Sequence, residues 1–183
     1  MLLDYKLGPM TLAEIHDLAE KYSERYNPDK VAPFPWENIV ADKDDLRIYY
    51  ANDMDEQISG ATLLQDDKYY ILINQDKHEN RQHFTLGHEL GHYFLHKDAL
   101  RTETALIDTD PYLDVDKILY RLDEGGRNRI EREANHFAAC LLMPSELVRK
   151  AWKVNANIED LAEIFKVSTI AMSIRLTELD LVS

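Results

Sequence analysis

Leu12, Ile15, Leu18, Ala19 and Tyr22 recur three and four residues apart within TLAEIHDLAEKYSERY, residues 11–26. That spacing gathers them on one face of a helix, and Asn27-Pro28 closes it. Pro28, Pro33 and Pro35 then keep the chain extended, since proline fixes φ and disfavours helix in the residue before it. Three runs rich in β-branched and aromatic residues follow: LRIYYA (46–51), ISGATLL (58–64) and KYYILIN (68–74). They predict strands, and Asp66-Asp67 between the last two predicts a hairpin turn. A second helical stretch runs from about Glu79 to His96. Residues 97–127 are less regular, rich in Asp, and end in Gly125-Gly126. The helical pattern returns from about Asn128 to Met143, where Pro144 stops it, and two or three short helices fill the remainder, IEDLAEIFK (158–166) among them. Helix, then sheet, then helices is the order of an α+β domain. We divide the chain into a domain over 1–153 and a C-terminal helical segment, packed on it, over 154–183.

Charge narrows the partners. The 183 residues carry 34 acidic and 21 basic side chains, a formal net charge of −13. Such a chain repels nucleic acid and anionic membrane unless a local basic patch intervenes. Cys140 is the single cysteine, which excludes an internal disulfide and suits a reducing compartment. The start, MLLDYKLGPM, lacks the pattern of a signal peptide, and no stretch reaches the roughly 20 apolar residues of a membrane span. The expectation is a cytoplasmic protein.

The chemistry concentrates in FTLGHELGHYFLH, residues 84–96. His88-Glu89-Leu90-Gly91-His92 fits the H-E-x-x-H pattern of zinc hydrolases. Residues four apart share a helical face, so both imidazoles can reach one ion. Glu89 is turned about 100° from His88 around the axis, at the flank of the ion, where a carboxylate can take a proton from an attacking water. Leu86, Leu90 and Tyr93 lie on the far face and Phe84, Gly91 and Leu95 beside the histidines, as in a buried helix. The bland alternative is a core helix with satisfied histidines. His96 continues the spacing but lies about 12 Å along the axis from His88, too far for one ion; a helix-terminal cation or surface residue is expected there.

A hydrolytic zinc needs a third protein ligand and an open position. RIEREANHFAACLLMP (129–144) offers Glu131 and Glu133. Glu131 shares a helical face with Ala134, Asn135, Ala138 and Leu142, small enough at two positions for another helix to approach. Glu133 points about 160° away, among Arg129, Arg132 and His136, toward solvent. Glu131 is therefore the expected ligand. Asn135, one turn on, can accept a hydrogen bond from the second nitrogen of a ligand imidazole.

NRQHFTLGHELGHYFLH (80–96) followed by IEREANHFAACLLMP (130–144) resembles the ImmA/IrrE family of metallo-endopeptidases, and the similarity covers most of 40–181, from YYILINQ (69–75) to LAEIFKVSTIAMSIRLTELDL (161–181). The resemblance implies a zincin-like fold, one zinc ion on His88, His92 and Glu131, and Glu89 as the catalytic residue. It implies as well a protein substrate, since family members often act with helix-turn-helix repressors of phages and mobile elements, cleaving or otherwise inactivating them. Gly87 departs from the pattern, standing where alanine is usual. The acidic stretch 98–127 has no evident counterpart.

Two functions from different classes follow. One is a zinc endopeptidase acting on a DNA-binding repressor; the other is a zinc-containing interaction protein, an antirepressor or toxin–antitoxin partner, that disables its target by binding. Glu89 favours the first, because a pure binder has no need of a base. An oxyanion donor is sought among His136, Tyr112 and Tyr120, with spacing marking none of them. The strand at 69–74 is either an edge for pairing with an extended substrate or an ordinary sheet strand; Gly125-Gly126 could hinge a lid over 98–124, though a plain loop is the favoured reading there. The C-terminal segment has the cadence of a helix-turn-helix with Val167-Ser168 at the turn. However, residues 155–183 set only Lys166 and Arg175 against Glu159, Asp160, Glu163, Glu178 and Asp180, a poor charge balance for reading DNA.

Overall fold

The computed structural model describes residues 10–103, 105–109 and 126–182. Helix α1 (Leu12–Tyr26) starts with a capping box, in which Thr11 accepts from the Glu14 N–H and Glu14 accepts from the Thr11 N–H. A short α2 (Glu37–Asp42) leads into β1 (Leu46–Ala51), β2 (Ile58–Gln65) and β3 (Lys68–Asn74). Asp66 and Asp67 take positive φ of 50° and 59°, which aspartate tolerates in a tight turn, and so set Gln65 opposite Lys68.

The sheet is mixed, in the order β1-β3-β2-β4, with β1 parallel to β3 and with β2 antiparallel to both β3 and β4 (Ala105–Thr109). This order decides between the two readings of residues 69–74 in favour of an ordinary sheet strand. β1 occupies the outer side of β3, so the edges among the described residues are β1 and β4. A correction falls on 97–127: Lys97–Glu103 form α4 and Ala105–Thr109 form β4. Residues 110–125, which hold Tyr112, Tyr120, Gly125 and most of the candidate lid, lie outside the described residues.

Helix α3 (Glu79–Leu95) lies across the sheet, with the Tyr93 ring edge-on to Tyr69 at 5.1 Å and Leu86, Leu90 and Tyr93 buried beside Ile71 and Ile73. Helix α5 (Gly126–Leu142), which begins two residues before the expected start, packs against the glycine face of α3. A Cβ built on Gly91 would lie 2.9 Å from Ala134 Cα and 3.0 Å from Ala134 O, against main chain that has nowhere to go. At Gly87 the nearest atom, also at 2.9 Å, is the Cδ1 end of the Leu142 side chain, which can turn aside. Gly91→Ala is therefore expected to destabilise the fold by about 1–3 kcal/mol despite its gain of about 1 kcal/mol in helix propensity. Gly87→Ala should be close to neutral. Urea midpoints of the two variants check the contrast.

Helices α6 (Ser145–Val154), α7 (Ile158–Phe165) and α8 (Thr169–Glu178) complete the chain. Leu161, Phe165, Met172 and Leu176 join the same core as the α3 and α5 residues. Arg175 is 2% exposed; its Nε donates to the Met143 carbonyl and its terminal nitrogens to Glu20, Ser145 and Glu178. Lys166 pairs with Glu79 at 3.4 Å. Both basic residues of the helix-turn-helix-like segment are thus engaged within the protein, and its cadence serves interior packing.

Candidate metal centre

The apolar face of α3 fixes its rotation, and the rotation leaves His88 and His92 facing α5. Both imidazoles are buried, with their Nε2 atoms 3.0 Å apart. The small residues of α5 let Glu131 come close: its Oε2 lies 3.1 Å from His88 Nε2 and 3.5 Å from His92 Nε2. Among the described residues these three side chains are the group of donors within 4.8 Å of one another that could hold a metal ion. Asn135, one turn along α5, places Oδ1 2.9 Å from His88 Nδ1. An amide oxygen only accepts, so His88 carries its proton on Nδ1 and turns a bare Nε2 lone pair on the group. Glu131 Oε2 accepts no hydrogen bond from any described residue, although it is buried. A buried anionic oxygen without a donor, beside imidazole lone pairs, is a costly arrangement that a cation relieves. A set of two nitrogens and one carboxylate oxygen suits zinc.

The charges agree with that fit. Burial holds His92 down to about 4, against the opposing pull of Glu131. A neutral imidazole is the form that binds a metal.

Glu89 is fully buried on the flank of α3 nearest the sheet. Thr62 of β2 donates its hydroxyl to Glu89 Oε2 at 2.6 Å, which orients the carboxylate. Sequence reasoning missed Thr62. Its signal was a hydroxyl residue alternating with Ile58, Gly60 and Leu64 along one face of the strand, a position that demands a polar partner once buried.

Glu133 is 7% exposed, which corrects its expected place in solvent; His96, at 7% exposed, is no surface residue but does stand at the helix end, the other position expected for it. His96 Nε2 lies 2.9 Å from Glu133 Oε2, and His96 Nδ1 lies 3.0 Å from His92 Nδ1. A helical wheel presumes a straight helix throughout, but His96 is the C-cap of α3, with φ −123° and ψ 29°, and its ring crosses to α5. His136, a candidate oxyanion donor, has its Nε2 3.1 Å from the Leu12 carbonyl and ties α5 to α1. Cys140 is buried, and burial pushes its thiol up to about 12, so it is neither nucleophile nor ligand at neutral pH.

His83, one turn before the centre, bears on stability. Burial lowers it to about 4, and its Nε2 has no hydrogen-bond partner among the described residues. The folded chain refuses a proton there that the unfolded chain takes up near 6.5. Stability therefore falls as pH drops from 6.5 towards 4, by at most about 3 kcal/mol at roughly 1.4 kcal/mol per pH unit. Urea unfolding of metal-free protein between pH 7 and 4.5 should show a shallower acid slope in His83→Gln than in wild type.

A small mixed sheet carrying a buried helix, with a two-histidine, one-carboxylate donor group against it, defines an α+β protein of metallopeptidase type. The peptidase family described as the IrrE N-terminal-like domain matches residues 41–177, and the chain belongs to this ImmA/IrrE family. It is 29% identical over 150 residues to Metallopeptidase ImmA of Bacillus subtilis, covering 78% of this chain and 76% of that protein. It is 27% identical over 157 residues to Uncharacterized immunity region protein 2 of Bacillus phage phi105, covering 85% and 83%. Among solved structures, a Mycobacterium tuberculosis transcriptional regulator superimposes with a TM-score of 0.56 at 14% identity over 92% of this chain. The chain spans about half of that regulator, 52% of its length, and the likeness concerns the fold alone.

Proposed function

We propose that the protein is a zinc-dependent endopeptidase that cleaves a regulatory protein, a helix-turn-helix repressor of a phage or mobile element. The observation that carries this reading is Glu89: a fully buried carboxylate, oriented by Thr62, on the flank of the group formed by His88, His92 and Glu131. A module that only bound its target would bury this carboxylate at a cost and gain nothing from it. The Bacillus relatives, a metallopeptidase and a phage immunity-region protein, support the substrate class.

His88, His92 and Glu131 would hold the ion, and Asn135 would fix the ring of His88. When bound, zinc supplies Lewis acidity to the scissile carbonyl and acidifies the attacking water. Glu89 takes the proton of that water on its carboxylate and later delivers it to the departing amine nitrogen. Thr62 keeps the carboxylate aimed through both transfers. The histidines and Glu89 lie beneath the surface, so the reacting groups work in a region of low dielectric where each charge acts strongly.

The test is to mix zinc-loaded protein with the helix-turn-helix regulator encoded beside its gene and to follow the mixture by mass spectrometry. New fragments that are absent from Glu89→Gln support cleavage. If wild type and variant disable the regulator equally and leave it intact, the protein acts by binding and the peptidase reading is wrong.

A further inference from the structure

His92 and His88 are anchored differently behind the candidate ligand atoms. His88 meets an amide oxygen, whereas His92 meets a second histidine, which in turn meets a carboxylate. The chain runs from His92 Nδ1 to His96 Nδ1 at 3.0 Å, then from His96 Nε2 to Glu133 Oε2 at 2.9 Å. Arg129 closes the far end, donating to Glu133 Oε1 at 3.2 Å. His92, His96 and Glu133 are each no more than 7% exposed. Water therefore has little room to replace any link.

We infer that His96 and Glu133 are positioning residues for the metal centre, locking His92 in the Nδ1–H tautomer that presents its Nε2 lone pair to the ion. This rests on the assignment of His88, His92 and Glu131 as ligands. A contact between two Nδ1 atoms needs a single proton, on one ring or the other. The Glu133 carboxylate, fixed by Arg129, accepts only, so His96 donates from Nε2. In the ligand assignment His92 binds through Nε2, so the single proton of the Nδ1–Nδ1 contact belongs to His92 and His96 Nδ1 accepts it. His92 then has its lone pair on Nε2, the atom that lies 3.0 Å from His88 Nε2 and 3.5 Å from Glu131 Oε2. The carboxylate at one end and the ligand atom at the other fit a single direction along the chain. Partners of this kind also set ring orientation and raise ligand basicity, and their loss typically costs 10–100-fold in metal affinity.

The experiment measures zinc affinity by chelator competition for wild type, Glu131→Ala, His96→Ala, Glu133→Gln and Glu133→Ala, with circular dichroism as the check on folding. The expected order is a loss of about 10–100-fold in His96→Ala and Glu133→Ala. Glu133→Gln should lose less, because its amide oxygen still accepts from His96. Two-bond proton–nitrogen correlation of the imidazoles in zinc-loaded wild type reads the tautomers directly, without any variant. It should show the His92 proton on Nδ1 and the His96 proton on Nε2. If wild type binds one zinc, Glu131→Ala loses it, and the His96 and Glu133 variants bind as wild type does, the positioning role alone is overturned. The proton of His96 found on Nδ1 overturns it equally. A wild type that binds no zinc, or a Glu131→Ala that binds it unchanged, overturns the ligand assignment and the positioning role with it.

Discussion

Glu89→Gln should retain zinc and lose cleavage by about 10²–10⁴-fold, the range ascribed to a single general acid–base group and equal to roughly 3–5 kcal/mol of transition-state stabilisation. The substitution is nearly isosteric at a site that is fully buried, so packing around α3 is conserved. Its amide oxygen can still accept the Thr62 hydroxyl that Glu89 Oε2 accepts at 2.6 Å. What is lost is the capacity to take up a proton, since an amide does not act as a base near neutral pH. Single-turnover cleavage of the regulator, measured beside zinc content, separates this from a structural effect. Equal zinc with a slow rate is the expected pair of results. Equal zinc with an unchanged rate would remove Glu89 from the chemistry and place the base elsewhere.

Local chemistry made much of this fold legible. The β2–β3 hairpin follows from Asp66-Asp67 and two apolar runs, because a two-residue turn and its flanking register are decided within a dozen residues. The grouping of His88, His92 and Glu131 follows from helical phase, since a buried face leaves a helix one rotation. Strand order did not follow. That β1 lies parallel to β3, with β2 on the other side, is a matter of non-local pairing that alternation within a strand does not encode. Whether 69–74 lay at an edge or inside the sheet stayed open for that reason. Residues 97–109 were unreadable for another: a seven-residue helix and a five-residue strand are too short to show a period.

The misjudged residues around the centre share a cause. Treating each helix as a separate straight cylinder puts Glu133 in solvent and His96 at a helix end or the surface, yet the two side chains meet where α3 has ended. Thr62 reaches Glu89 across 27 residues of sequence, a contact that only the packing of α3 on the sheet creates. Residues that line up on one helix can be found from spacing. Residues that support them from another element are found only once the elements are packed.

Glu131→Ala should abolish the stabilisation that zinc confers while leaving the metal-free protein folded. In wild type, free zinc at 100 times its dissociation constant adds about 2.7 kcal/mol to the unfolding free energy. The variant keeps both imidazoles and loses the anionic donor of the group, so its affinity should fall by more than the 10–100-fold of an outer partner, and the increment should vanish at the same zinc concentration. The metal-free form should be little affected, because the removed carboxylate is buried with an oxygen that no described residue satisfies. Removing such a group relieves a desolvation penalty and so offsets the packing lost with its side chain. Thermal unfolding with and without zinc, on wild type and variant, gives both quantities in one series. A variant that still gains the full increment would show that another carboxylate completes the site. Glu133 would be the first to examine, through the double variant with Glu131→Ala, because it is the other buried glutamate on α5 and lies within one histidine of His92.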